Sequence, residues 1–450
     1  MRGLALAASQ NGYAISGLDA AAVPPGTDWL DEHGINWYRL FEPGQLDNVD
    51  TVIVSGGTSV DHPALVLARH RDVPVISFAQ FLGELTSGRH VISVAGTHGK
   101  TTTTSLITWL IDAAGQAPDF LIGIRPFNFE SSARLGGSGT FVVEGDEYKA
   151  STLEDKSKVE YYHPDTLVLT SVEHDHPDVF ATPEAMRARF TRIVAAVPAT
   201  GLVIANADDE DVLKVAQSAR AKVLTYGLES GDYLAQNVAF LPEGIAFDIL
   251  TSQGTIGRIA LPMYGRHNVA NALAAVAVAT HENIDFAAIC LAATTFKGAY
   301  RRFNVLTAPD AQVTVIDDYA HHPTEVATTI EAVKLHFAGR RLIVIFRPHT
   351  FSRTKALLAE YRQVFSQIEH AYITDIEGAR ETGNNPDVAA TDITRDQPVS
   401  VKHVSDRDQL INLVLDDAST GDVVLCMTVS GYDDIAGVLA AKINALLQSR

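Results

Sequence analysis

Apolar residues in this chain fall into short unbroken runs. TVIVSGG (51–57), VPVISF (73–78), VISVAG (91–96), FVVEGDE (141–147), TLVLTSVEHDH (166–176), GLVIANADD (201–209), VTVIDDYAHH (313–322), LIVIFRPH (342–349) and VVLCMTVSG (423–431) begin rich in Val and Ile and end in small or polar residues. Stretches with helical apolar spacing follow them. A run that is apolar throughout suits a strand covered on both faces, and its alternation with helices predicts parallel α/β sheets. Such sheets bind ligands beyond the carboxyl ends of their strands. Here those ends carry Gly, Asp, Glu, His and Arg. Between about 222 and 263 the pattern changes to VAFLPEGIAFDIL and TIGRIALPM, which predicts an antiparallel portion beside the central sheet.

Two polar stretches divide the chain. SGRH (87–90) separates a first set of strands and helices from VISVAG, and KGAYRRF (297–303) precedes a fresh βα series. Three domains are expected, at 1–88, 89–297 and 298–450. At roughly 150 residues per domain, a chain of 450 residues suggests the same number. RGLALAASQNGY reads as a helix ending near Gly12, and YAISGLD (13–19) as the strand after it. A Rossmann-like unit thus begins at its first helix, without a first strand or glycine turn.

Composition removes several classes of function. Hydrophobic residues make up 46% and charged residues 20%, ordinary for a globular enzyme. The formal charge of −19 and the lack of a basic stripe argue against nucleic acid as a partner, while local Arg and Lys clusters can still hold a small anion. Cys290 and Cys426 sit in apolar runs and read as reduced core residues. No stretch has the length of a membrane span and the N-terminus lacks a signal-peptide layout. No membrane insertion and a cytoplasmic location are expected, as a monomer or homodimer.

The strongest chemical signal is VISVAGTHGKTTTT (91–104). A strand that delivers a Gly-rich loop into a helix start gathers unpaired N–H groups and the positive end of the helix dipole around an anion. Lys100 would reach the β and γ phosphates, and the Thr101 hydroxyl would complete a magnesium shell. The match is GxxGKT only, because Val94 stands where GxxxxGK[ST] needs its first glycine. The bland reading is a tight βα turn with a surface lysine.

Further sites lie at other strand ends. Glu144 in VVEGDEY and His176 in TSVEHDHPD are placed to meet the loop and to help hold Mg2+ beside ATP oxygens, although His is an unusual magnesium ligand. His267, Asn268 and Asn271 begin an alanine-rich helix, where Asn268 is either a cap or a nucleotide contact. DDYAHHPTE, FRPHTFSRTK and DIEGARE contribute Asp317, Asp318, His321, His322, Arg347, His349, Arg353 and Arg380. Eight such residues at three strand ends favour a site for anionic groups, with Arg as a bidentate ligand.

In their order, AGTHGKTTT, EGDE, the strand-end E-x-DH, GRHNVANALAA, FKGAYRRF, DDYAHHPTE and FRPHTFSRT resemble the motifs of the Mur ligase family over nearly the whole chain. The resemblance implies an α/β three-domain architecture: a UDP-sugar-binding Rossmann-like N-terminal domain, here lacking its first strand, a central P-loop ATPase domain, and a Rossmann-like C-terminal domain that takes the incoming amino acid or peptide. It implies a ligase in which a substrate carboxylate attacks the γ phosphate of ATP and an amine then displaces phosphate from the acyl phosphate. It also assigns residues. Gly96, Thr97, His98, Gly99, Lys100, Thr101 and Thr102 would cradle the ATP phosphates. Thr101, Glu144 and His176 would hold magnesium, with Lys100, Glu144 and His176 as catalytic residues. Asn268, Arg302 and Asp317 would contact nucleotide; His321, His322, Arg347, His349 and Arg353 would line the amine side. Ser55, Gly56 and Gly57 resemble the sugar-nucleotide side.

Two branches of the family compete. DDYAHHPTE, RPHTFSRT and DIEGARE resemble the branch that joins UDP-N-acetylmuramate to L-alanine, whereas NFESSARLGGSGTFVVEGDEYKASTLEDKSKVEYYHPDTL resembles the one that joins it to an L-alanyl tripeptide for cell-wall recycling. L-alanine is the expected amine. No lysine lies between Lys158 and Lys214, so the carbamylated lysine of other branches is not expected. A nucleotide-binding regulator without turnover and a folate polyglutamate ligase are the rivals. The family's opening strand and GxGxxG turn have no counterpart here, and a truncated reading frame is the expectation, tested by the intact mass of protein from its native source.

Overall fold

The computed structural model describes residues 1–450 except 21, 23–25, 176–178, 380, 382–386, 399, 431, 433 and 450 and the side chains at 26 and 446–449. The nine apolar runs all form strands, and each is followed in the chain by a helix.

Among the described residues, the first 89 hold four three-residue strands in two separate parallel pairs. β1 (Ser16–Leu18) pairs with β2 (Asn36–Tyr38), and β3 (Val52–Val54) with β4 (Val75–Ser77). Helices α1 (Arg2–Gln10), α2 (Gly26–Glu32), α3 (Pro63–His70) and α4 (Phe78–Leu85) lie between and after them. Leu4, Ala7 and Ala8 of α1 and Ala79, Phe81 and Leu82 of α4 are buried in one cluster with Val91, Phe141 and Leu167 of the next sheet. This shared core seats the first unit on the second.

The central sheet has ten strands. In chain order come β5 (His90–Ala95), α5 (Lys100–Ala113), β6 (Asp119–Leu121), β7 (Ala133–Arg134), β8 (Thr140–Gly145), α6 (Val159–Tyr162), β9 (Thr166–Leu169), α7 (Pro183–Ala195), β10 (Leu202–Asn206), α8 (Glu210–Ala216) and β11 (Lys222–Gly227). The predicted antiparallel portion follows as β12 (Tyr233–Leu241), β13 (Gly244–Thr251) and β14 (Gly254–Leu261), then α9 (Arg266–His281) and α10 (Phe286–Thr294). The spatial order β6-β8-β5-β9-β10-β11 is parallel throughout. Ala95 stands in register with both Gly145 and Leu169, so the chain leaves β5, β8 and β9 at one level of the same sheet end. Helix α9 is buried at every position from Ala272 to Ala279. Its run of alanines, good helix formers without bulk, lets it lie close against α5 and the sheet.

A six-stranded sheet completes the chain, in the order β15-β16-β20-β17-β18-β19. Its elements are β15 (Asn304–Val305), β16 (Thr314–Asp318), α11 (Pro323–His336), β17 (Leu342–Phe346), α12 (Phe351–Ala356), α13 (Leu358–Phe365), β18 (Ala371–Ile373), α14 (Ala390–Thr394), β19 (Val401–His403), α15 (Arg407–Asp417), β20 (Val423–Met427) and α16 (Ile435–Ser449). All pairs except β15–β16 are parallel. Asp318 and Phe346 both pair with Met427, which aligns the ends of β16, β17 and β20. Cys426 is buried as expected, whereas Cys290 is only half-buried, on the face of α10 where its thiol meets the Arg258 carbonyl of β14. Among the described residues no helix is long and apolar enough to cross a membrane.

Candidate active site

The loop between β5 and α5 is built for close approach. Gly96 (φ +140°) and Gly99 (φ +79°) have backbones that L side chains rarely adopt, and a Cβ on Gly99 would lie 2.6 Å from Asn271 Oδ1. Thr97 N–H donates to Ser171 O (3.0 Å) and His98 N–H to Ser171 Oγ (2.9 Å), which pins the loop to the end of β9. Gly99 caps α5 with no side-chain bond. The first-turn N–H groups of Lys100, Thr101 and Thr102 therefore face outward as an anion site at the positive helix end.

Lys100 is held back toward its own loop. Its Nζ donates to Glu147 Oε2 (3.0 Å), Thr97 O (3.2 Å) and Gly96 O. Burial opposes its charge, yet Glu147, Asp146 and Glu144 outweigh burial and raise its pKa. Glu144 lies at the end of β8, where it accepts from Thr101 Oγ1 (2.9 Å) and from Gly123 N–H (2.9 Å). Burial and then Asp146 push the Glu144 pKa up. Asp146 itself is bound by Lys158 (2.7 Å) and by the Tyr148 hydroxyl (2.7 Å). A hydroxyl and a half-buried carboxylate side by side at a phosphate loop form an oxygen donor set that fits magnesium. His176, the third expected metal ligand and catalytic residue, lies outside the described residues.

The C-terminal strand ends close over this loop. His98 Nε2 is 2.8 Å from Glu173 Oε2, and its Nδ1 is 3.1 Å from Glu325 Oε1 in α11. Burial works against a charged ring, but the two carboxylates override it and raise the His98 pKa to about 9. Thr324 Oγ1 donates to Glu173 Oε1 (2.6 Å), and Arg353 Nε to Asp175 Oδ1 (2.8 Å). Burial raises the energy of an ionised Glu325, yet the charged His98 ring hydrogen-bonded to it helps keep its pKa well below the usual carboxylate range.

The expected residues divide into those that gather here and those that do not. His321, His322, His349 and Arg353 cluster beside the phosphate loop: the His98 and His322 rings lie 4.9 Å apart, and those of His321 and His349 5.6 Å. His349 Nδ1 accepts from Arg353 Nη1 (3.0 Å). Burial lowers the His321 pKa to about 3, so that ring is neutral. Arg347 reaches Ser430 Oγ (3.2 Å) and stacks on Tyr432 at 4.5 Å. Arg302 lies over the Tyr319 ring at 4.9 Å.

Three of the expected residues have partners that the sequence did not show. Asp317 is paired with Arg301 (2.9 Å), whose guanidinium also binds the Thr428 side chain and the Val429 carbonyl. Asp318 accepts from the backbone of Phe303 (2.6 Å) and Ala320 (2.7 Å), and burial raises its pKa to about 6; it shapes the strand end. Asn268 is no cap, because Gly265 is; it donates to Tyr264 O (2.7 Å) and accepts from Asn271 (2.9 Å), which in turn holds Thr103 (3.1 Å). Ser55, Gly56 and Gly57 follow β3, away from the loop contacts just described. There Ser55 Oγ meets Thr58 Oγ1 (3.0 Å), and Thr152 of the loop after β8 donates to Thr58 O (2.6 Å). Arg380 lies outside the described residues.

The sequence reading missed Glu147, Glu173, Asp175, Arg301 and Glu325. Glu173 and Asp175 stood in the quoted E-x-DH, and Glu325 three residues after His322 gives the spacing of a capping box, which the structure contains. Arg301 beside Arg302 gave no signal of its own. Seven buried side-chain polar atoms among the described residues have no hydrogen-bond partner, and five belong to this crevice: Glu147 Oε1, His267 Nδ1, Arg302 Nε, His322 Nε2 and Arg347 Nε. Buried polar groups are normally paired, so their concentration makes this crevice the candidate site for a polar ligand.

Three family models match successive parts of the chain: Mur ligase family, catalytic domain at residues 1–90, Mur ligase middle domain at 94–279, and Mur ligase, glutamate ligase domain at 301–428. The UDP-N-acetylmuramate–L-alanine ligase of Clostridium acetobutylicum is 33% identical over 446 residues, 98% of this chain and 95% of that one. The solved UDP-N-acetylmuramate–alanine ligase of Thermotoga maritima superposes with a TM-score of 0.79 at 23% identity, covering 99% of this chain and 97% of that one. The UDP-N-acetylmuramate:L-alanyl-γ-D-glutamyl-meso-diaminopimelate ligase of Neisseria meningitidis is 36% identical, with a TM-score of 0.62 over 66% of this chain and 95% of that one.

Proposed function

The chain belongs to the Mur ligase family, and on that premise we propose that it joins the carboxylate of UDP-N-acetylmuramate to the amine of L-alanine, converting ATP to ADP and phosphate. The observation that carries this reading is His98, which belongs to the phosphate loop and yet touches Glu325 of α11. It brings the nucleotide side and the amine side of a two-step reaction to one crevice.

A carboxylate is inert to amines until one oxygen becomes part of a good leaving group. In the first step that oxygen bonds to the γ phosphorus while the β–γ bridge breaks and its electron pair leaves with ADP. The amine then bonds to the acyl carbon, and the tetrahedral intermediate expels phosphate. The chain contributes position and charge. The N–H groups of Lys100 to Thr102 and the Lys100 ammonium hold phosphate oxygens. Thr101 and Glu144 would hold Mg2+, whose charge offsets that of the phosphates when bound. Arg302 and Arg347, each with a buried unpaired Nε, are suited to anionic groups of nucleotide and amine substrate. The ties His98–Glu325, Thr324–Glu173 and Arg353–Asp175 keep water from the acyl phosphate. Ser55 to Gly57 face the sugar nucleotide from the N-terminal unit.

The relative that takes a tripeptide is 36% identical over its matched span, which favours a second reading, an L-alanyl peptide as the amine. Phosphate release tests the main reading: it requires ATP, UDP-N-acetylmuramate and the amine together. Nucleotide binding without such release would mark a regulator.

A further inference from the structure

His322 sits at the N-terminus of α11, where its Nδ1 accepts the Thr324 backbone N–H at 3.3 Å. A backbone N–H only donates, so Nδ1 carries no proton. The ring is neutral, since burial and the neighbouring charged His98 both lower its pKa. The remaining ring proton therefore resides on Nε2. His322 is 2% exposed, and its Nε2 has no hydrogen-bond partner. The local helix geometry thus fixes a buried donor that lacks an acceptor, an arrangement that native structures rarely keep without a ligand.

His98, Glu173 and His322 each place one ligand atom within 4.8 Å of the others, a spacing that could hold a metal ion. The protons argue otherwise. His98 presents N–H groups to Glu173 and Glu325 on its two sides, and His322 presents N–H at Nε2. Both rings offer donors, and a donor seeks an oxygen anion. The anion-binding turn of α5 begins two residues after His98.

We propose that His322 Nε2–H donates a hydrogen bond to a non-bridging oxygen of the phosphoryl group as it passes from ATP to the substrate carboxylate. This rests on the ligase reading above and moves His322 from the amine side to the phosphoryl step. The histidine keeps its proton throughout. The C-terminal unit then serves both halves of the reaction, and phosphoryl transfer requires that unit to be closed over the loop.

His322→Asn separates the roles, because Asn Oδ1 still caps α11 while no atom reaches the place of Nε2. Acyl phosphate formation is read alone by positional isotope exchange in ATP labelled at the β–γ bridge, with UDP-N-acetylmuramate present and amine absent. Loss of one such donor predicts a fall in exchange of about 100-fold or more. ADP affinity, the KM for amine and the thermal midpoint stay near the wild-type values. His322→Gln, whose longer amide can donate, recovers part of the exchange, and His322→Ser, another capping residue, replaces the Asn variant if that does not fold. Unchanged exchange with a raised KM for amine would overturn the proposal in favour of the amine side. Tight 1:1 binding of Zn2+ to the nucleotide-free protein, abolished by His322→Asn, would overturn it in favour of a cation site. Absence of phosphate release from the wild-type protein with ATP, UDP-N-acetylmuramate and amine together would instead remove the ligase reading itself.

Discussion

His98 Nδ1 lies 3.1 Å from Glu325 Oε1, joining the phosphate loop to the first turn of a helix 227 positions later in the chain. The ring is charged at neutral pH, with a pKa raised to about 9 by Glu173 and Glu325 against burial. In the unfolded chain a histidine titrates near 6.5. The contribution to stability is therefore complete below about pH 6.5 and is lost as pH rises through 9, a total on the order of 3 kcal/mol shared among the partners. Urea unfolding between pH 6 and 9.5 checks it: the wild-type midpoint falls with rising pH, and His98→Gln flattens that dependence.

Glu325 has the opposite sign. Its pKa is held well below the usual range, so its contribution is present above about pH 4.5 and disappears as pH falls toward the depressed value. In acid titration, Glu325→Gln should lose stability at pH 7 and show a shallower decline than wild type below pH 4.5.

Arg353 and Asp175 form an ion pair in which the residues are only 2% and 5% exposed. Replacing Arg353 by Met leaves a buried carboxylate without its cation, at a cost of about 3–5 kcal/mol. The double variant Arg353→Met/Asp175→Asn should recover part of that loss in a double-mutant cycle. Additive losses would show that the pair does not couple the two sheets.

Much of this was legible in the chain. Strands that are apolar throughout announced themselves, and the strand-end rule placed VISVAG, EGDE, DDYAHH and FRPH on one side of their sheets. Pairing across the interface was not legible, because nothing local tells which carboxylate a histidine will meet after folding. His98 read as part of a loop, and Glu325 stood in DDYAHHPTE without a role. Asp317 shows the same limit: nothing in the local sequence tells that its carboxylate meets Arg301, 16 positions earlier.

Lys100→Ala should abolish phosphate release while the protein remains folded. The substitution also leaves Glu147 without its cation, so some loss of stability accompanies it. Near-normal turnover in this variant would contradict the assignment of the loop to ATP phosphates.

Gly99→Ala places a Cβ 2.6 Å from Asn271 Oδ1 at a φ of +79°. The strained backbone should cost about 1–2 kcal/mol, and displacement of the first turn of α5 should weaken nucleotide binding at least tenfold. Calorimetric titration with ADP reads the second effect directly.

The central claim is the identity of the bond that is made. Incubation with ATP, Mg2+ and UDP-N-acetylmuramate together with either L-alanine or the L-alanyl-γ-D-glutamyl-meso-diaminopimelate tripeptide, followed by mass analysis of the nucleotide sugar, tests it. The account predicts a product heavier by one alanine residue, with one ADP formed per product and higher kcat/KM for L-alanine. A product formed only with the tripeptide, or ADP formed without any acylated amine, would contradict it.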